Sequence, residues 1–122
     1  MLNVNIHEED GIVVLEPHGA LTQNDFVAAA AIIDPFIERY GKLNGVMIHS
    51  KVFPGWDSFS SMLTHLEFVR DHHTKIARVA MVTDSIIGDL AEVLTGHFVQ
   101  AEVKHFGFNA FKEARLWVLG LL

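Results

Sequence analysis

Arg78-Val79-Ala80-Met81-Val82 is the stretch on which the fold turns. Four apolar residues in succession leave a strand no polar face, so both of its sides must be covered. A similar run, Val46-Met47-Ile48, lies upstream, and Val99 to Phe106 reads as a further strand downstream. Between these runs, Phe59 to Arg70 and Ile86 to Leu94 carry helical periodicity, and Ala110 to Leu119 predicts a last helix. Buried strands alternating with helices imply right-handed parallel crossovers.

Upstream the pattern changes. Asn3 to His7 alternates, Ile12 to Leu15 is a β-branched run, and Glu8-Glu9-Asp10-Gly11 between them ends in a strong hairpin pair. Pro17 has no N–H to give a ladder, so the second strand is expected to fray there or give way to a loop. Thr22 is a good N-cap, and Asp25 three residues on imitates a capping box. The helix that follows shows Phe26, Ala29, Ala30, Ile33, Ile37 and Tyr40 at core spacing, with Gly41 as its terminator. Pro35 should kink or interrupt it. The expected architecture is α/β: a mixed sheet of about five strands, an antiparallel first pair feeding a parallel remainder, with about four helices.

Length and composition narrow the function classes. The chain has 122 residues, half of them hydrophobic, and a mean hydropathy of +0.28. One domain with a real core is expected, with apolar surface left over for a ligand, a second copy or a lipid. Nine Lys and Arg against fifteen Asp and Glu give a net charge of −6. Without a basic cluster, nucleic acid is not an expected partner. The absence of cysteine removes disulfides and thiolate chemistry. Met1-Leu2-Asn3-Val4 does not read as a signal peptide, and no apolar run approaches a membrane-spanning length, so the cytoplasm is the expected location.

Several segments resemble one family in the right order. These are Gly19-Ala20-Leu21-Thr22 with Asp25-Phe26, Trp56-Asp57, Arg78 to Val82, Val103-Lys104-His105-Phe106 and Glu113-Ala114-Arg115-Leu116-Trp117. Together they are similar to the SpoIIAA-like proteins. The resemblance implies a fold shared with STAS domains and with lipid-exchanging CRAL-TRIO domains, and bacterial relatives without an established enzymatic activity. STAS antagonists carry Asp-Ser-Ser-Gly-Leu where a helix begins, and one of its serines is phosphorylated. The matching positions here read Asp57-Ser58-Phe59-Ser60-Ser61, with Phe59 in place of the second serine and the glycine missing. Ser58 is the phosphorylation candidate that the resemblance implies; its ordinary role would be to cap the helix.

Other chemistry finds little footing. The eight histidines lack chelating spacing: His65 and His72 are two turns apart, and the adjacent His72 and His73 diverge. His7, His18, His49, His97 and His105 could converge only through the fold. No metal and no cofactor are expected, and no glycine-rich phosphate loop or nucleophile elbow is present. Asp84 before Ser85 reads as a mark of the helix starting at Ile86.

The apolar arcs of the two central helices are more telling. Phe59, Met62, Leu63, Leu66 and Val69 gather within roughly 120°. The Ile86 helix spreads Ile86, Ile87, Leu90, Leu94 and their neighbours over about 160°, more than one sheet contact needs. Phe53-Pro54-Gly55-Trp56 adds aromatics in a loop. The reading that follows is a non-catalytic binding module for an apolar small molecule or lipid, held by Trp56, Phe59, Met62, Leu63, Leu66, Ile87, Leu90 and Leu94. Loosening of those helices would permit peripheral membrane contact, and the spare apolar surface also leaves room for a homodimer. The alternative is a STAS-type protein-interaction module regulated at Ser58.

Overall fold

A computed structural model describes residues 1–19, 22–51, 76–84 and 102–121. Its elements run β1 (Leu2–His7), β2 (Ile12–Pro17), α1 (Gln23–Tyr40), β3 (Leu43–His49), β4 (Ile76–Val82), β5 (Glu102–Phe106) and α2 (Phe111–Val118). The five strands form one mixed sheet in the order β1-β2-β3-β4-β5. The first pair is antiparallel, with His7 opposite Ile12, and the other three pairings are parallel. Two helices lie among the described residues. The two others expected, over Phe59–Arg70 and Ile86–Leu94, lie outside them.

Apolar residues on successive positions of β2, β3 and β4 divide between two cores. Val13, Leu15, Val46, Ile48, Val79 and Met81 face one way and pack with Ala29, Ile33, Phe36 and Ile37 of α1. Ile12, Val14, Met47, Ala80, Val82 and Phe106 face the other way and pack with Ala114 and Val118 of α2. That is why the strands show no polar alternation: each face of the pleat has its own cover.

The turn of the hairpin is held at both ends. Gly11 sits at φ +68°, a conformation that a side chain would strain, and its N–H donates to His7 O at 2.9 Å. The Asn44 side chain donates to Asp10 O at 2.7 Å, and the Arg115 guanidinium of α2 pairs with the Asp10 carboxylate. β2 is paired as far as Pro17 and gives way to a loop after it, as expected. The strand reaches Pro17 because parallel pairing with β3 has already ended at Leu15 opposite Ile48, so the missing N–H deprives no ladder there.

β3 begins at Leu43, three residues before the apolar run Val46-Met47-Ile48, and Gly45 lies inside the strand. The described part of the last strand begins at Glu102; positions 99–101 lie outside the described residues.

α1 starts and stops as its local sequence dictates. Thr22 Oγ1 accepts the Asp25 N–H, and the Asp25 carboxylate accepts the Thr22 N–H at 2.7 Å, a reciprocal capping box. Gly41 closes the helix at φ +84°, its N–H donating to Ile37 O. Pro35 does not interrupt the helix, which is one element of 18 residues. It lies on the exposed face, where water can take up the Ala31 carbonyl that Pro35 cannot serve. Tyr40 departs from the expected core stripe. It is 51% exposed, meets the Phe36 ring at 4.6 Å and a 42° tilt, and has the Arg39 guanidinium over its own ring. Tyr40 ends the helix beyond the sheet's cover, and among the described side chains of α1 the buried aromatic is Phe36; the Phe26 side chain lies outside them.

The capping box yields a pH-dependent prediction. The Thr22 N–H, and after it the Thr22 hydroxyl, hold the Asp25 carboxyl below its ordinary value, with burial opposing them. A carboxylate with a lowered folded-state pKa stabilises above its unfolded value, and that stability is lost as pH falls through the folded one. Thr22→Ala is expected to cost about 1 kcal/mol near neutral pH. The stability gap between wild type and Asp25→Asn should narrow below about pH 4, followed by urea denaturation across the acid range.

Candidate functional site

The carboxyl ends of β2, β3, β4 and β5 lie along one edge of the sheet, where open α/β sheets commonly bind ligands. Chain geometry makes this edge well determined. Ser50 N–H donates to Val82 O at 3.1 Å, Thr83 N–H to Phe106 O at 2.9 Å, and Asp84 N–H to Lys51 O at 3.1 Å. The ladder is thus extended beyond the last residues of β3 and β4. Thr83 is fully buried, and its hydroxyl donates to Lys51 O at 3.2 Å. His105, on the α1 side of β5, places Nε2 at 2.7 Å from Thr83 O.

The helix start that Asp84 is expected to mark, at Ile86, lies outside the described residues. The Asp84 carboxylate accepts the Phe108 N–H at 3.0 Å. α2 lacks a side-chain cap at Ala110, so Asp84 anchors the turn that leads into α2 from the end of the neighbouring strand.

On the α2 side of the edge lies a cleft of about 350 Å³, lined by Glu16, Pro17, His18, Gly19, His49, Ser50, Lys51 and Phe108. His49, the last residue of β3, is its most constrained member. Its ring stacks on Phe108 at 4.4 Å and 11°, and meets Phe111 at 4.9 Å and 52°. His49 Nδ1 stands 3.7 Å from a Glu16 oxygen, while Asn5 donates to the other oxygen at 3.3 Å. His49 Nε2 is buried and has no hydrogen-bond partner among the described residues. The ring therefore ties β2 and β3 to the β5–α2 turn mainly by stacking.

His18 and His49 share this cleft, a convergence that spacing along the chain could not reveal. His105 faces the opposite core, and no group of three or more metal-ligating side chains occurs among the described residues. Among them, too, no helix is long and apolar enough to cross a membrane. A cationic group lies against the end of α2. Arg78 donates to Trp117 O and stands over the Trp117 ring at 5.3 Å, with Lys104 at 5.9 Å from the same ring. Glu102 faces Arg78 at 3.8 Å, so this group holds α2 onto β4 and β5.

The residues expected to hold an apolar ligand, Trp56, Phe59, Met62, Leu63, Leu66, Ile87, Leu90 and Leu94, lie outside the described residues, as does Ser58. The structure describes the points from which their segments leave the sheet, Lys51 after β3 and Asp84 after β4. The cleft was missed in the sequence because its lining comes from three separate stretches. The one trace it leaves along the chain is the change from apolar Val46-Met47-Ile48 to polar His49-Ser50-Lys51, which by itself names no partner.

No curated protein and no solved structure matches the chain. A family model described as SpoIIAA-like matches residues 12–119, from the first residue of β2 to just past the end of α2. That match takes in both helical layers and every strand but β1, and the chain belongs to the SpoIIAA-like family.

Proposed function

We propose that this protein is a non-catalytic regulatory module of the STAS type, which docks a protein partner at the carboxyl edge of its sheet and is controlled by phosphorylation at Ser58. The observation that carries the reading is the family match, which spans residues 12–119 and includes Ser58. The edge geometry supports it. Ser58 follows Lys51 by seven positions, on the segment that leaves the sheet beside the cleft of His49, His18 and Phe108. The stacking of His49, the buried Thr83 and the Asp84 anchor make that edge a fixed platform. A phosphate on Ser58 would bring close to two negative charges and strong acceptors, enough to create or abolish a docking surface.

Intact-mass and peptide spectra of protein isolated from its own host test the reading. A phosphate-mass increment mapping to Ser58, absent in Ser58→Ala, is expected. Cross-linking in the host should then yield a complex whose abundance differs between Ser58→Ala and Ser58→Asp. No phosphorylated species at any growth stage, with identical complexes for both variants, would overturn the proposal. A lipid retained stoichiometrically in native spectra would point instead to the apolar-ligand reading built on Trp56 and the arcs beyond it.

A further inference from the structure

β1 is an outer strand of the sheet, and its free edge is unguarded. Edges are usually blunted by charge, proline, a bulge or shortness, because unpaired N–H and C=O groups are a template for another strand. β5, the other outer strand, carries exposed Glu102 and Lys104. Leu2–His7 has no lysine, acid or proline, and its six residues pair with β2 without a break in register. Net charge ordinarily keeps copies of a chain apart, and at −6 this chain has it, yet none of the acidic residues lies on β1.

The ladder fixes which groups are free. Met1 and His18 exchange both of their backbone bonds, His18 N–H to Met1 O and the Met1 ammonium to His18 O, each at 2.7 Å. Bonded positions alternate in an antiparallel pair, so Asn3, Asn5 and His7 turn their N–H and C=O to β2, and Leu2, Val4 and Ile6 turn theirs outward. The Leu2 N–H is directed at the Asp25 carboxylate of α1, which leaves the free groups on Val4 and Ile6.

A strand that fits this edge must be apolar at alternate positions and polar between them. Val4 and Ile6 pack on the core beneath α1, and Asn3, Asn5 and His7 lie on the α2 face. β1 is itself such a strand, and one register matches it to a second copy. With a twofold axis at Asn5, Val4 exchanges both backbone bonds with Ile6 of the other copy, and Ile6 with its Val4. The apolar core then continues as Val4 against Ile6, while Asn5 meets Asn5 and Asn3 meets His7. The acidic turns fall at opposite ends of the pair, with the two Glu8 residues roughly 20 Å apart.

We propose that two copies of this chain join antiparallel through β1, with Asn5 on the twofold axis, so that their sheets run on as one. The same patch serves both copies, as a closed twofold contact requires. A single strand pair belongs at the small end of protein interfaces, below about 1,200 Å² in total, so the association is reversible. It uses the opposite edge from the helix-bearing strands and stands independently of the docking reading at Ser58.

The absence of native cysteine makes the test clean. Asn5 is exposed, and on the axis its two copies face each other with Cα atoms about 4.5 Å apart, within disulfide range. Mild oxidation of Asn5→Cys should therefore give largely covalent dimer. Asn3→Cys lies on the same face of the same strand, but its two copies stand roughly 14 Å apart and should stay unlinked. Light scattering of wild type should report a dimer with Kd of about 1–100 μM. Hydrogen exchange at the Val4 and Ile6 amides should slow as protein concentration rises, while the Asn3, Asn5 and His7 amides stay protected throughout. Asn5→Lys sets like charges on the axis and should weaken the dimer at least tenfold, with an unchanged circular dichroism spectrum and partial recovery in high salt. A wild type that stays monomeric to about 1 mM overturns the proposal. So does Asn5→Cys linking no faster than Asn3→Cys, or a dimer in which Val4 and Ile6 exchange as in the monomer. Protection of these two amides only when a different protein is added gives the edge to a foreign strand, and overturns it too.

Discussion

Replacing Gly45 by valine is expected to remove most of the stability of this protein. Gly45 lies within β3, between Ile12 of β2 and Arg78 of β4, on the face that α2 covers. A Cβ built there would stand 2.1 Å from Val118 Cγ1 and 2.9 Å from the Arg78 carbonyl oxygen. The first contact means that α2 rests on the bare backbone of a central strand. Even alanine forces Val118, and the helix carrying it, away from the sheet. Overpacking of this kind costs about 1–3 kcal/mol for a methyl, and valine adds two further methyl groups at the same spot. Against a total of about 5–15 kcal/mol, Gly45→Val should leave little folded protein at ambient temperature. A double-mutant cycle shows which contact matters. Because Val118 is the nearer obstacle, Gly45→Ala in a Val118→Ala background should cost less than in wild type, a coupling of about 0.5–3 kcal/mol by urea denaturation. Simple additivity would place the limit at the Arg78 carbonyl instead.

Ile33→Ala and Ile32→Ala are expected to differ sharply although the residues are adjacent. Ile33 is fully buried between α1 and the sheet, among Val13, Val46 and Phe36. Truncation there loses three methyl(ene) groups and leaves a cavity, at about 2–5 kcal/mol. The melting temperature should fall by on the order of 10 °C. Ile32 points to solvent at 47% exposure, so its truncation in dilute, monomeric solution should stay within about 0.5 kcal/mol. An equal loss at both positions would mean that α1 is rotated from the orientation described here.

Much of the candidate site was beyond the reach of reading along the chain, and His49 shows why. Its neighbours Glu16, Phe108 and Phe111 come from β2 and from the β5–α2 junction, many tens of residues away. Nothing in His49-Ser50-Lys51 itself announces a stacked, half-unpaired imidazole. Asp84 has a partner hidden for the same reason. A carboxylate after a strand reads as the start of the next helix, whereas its partner is the Phe108 N–H on the adjoining strand's turn. The residues that the sequence did nominate, Ser58 and the apolar set from Trp56 to Leu94, belong to segments leaving this edge and outside the described residues.

By itself the sequence determined those features whose bonds close within a few residues. The Thr22–Asp25 box, the Gly41 stop and the four-residue hairpin turn at Gly11 are each complete within one turn of chain. The antiparallel first pair, the parallel remainder and the two-sided burial were equally legible, because runs such as Val79 to Val82 admit no solvent face. Tertiary structure alone decided which side of Gly45 receives α2, why Tyr40 falls outside the core while Phe36 enters it, and why Pro35 is tolerated in α1. These depend on where one layer ends over another, and a packing distance between elements leaves no mark on the residues of either element alone.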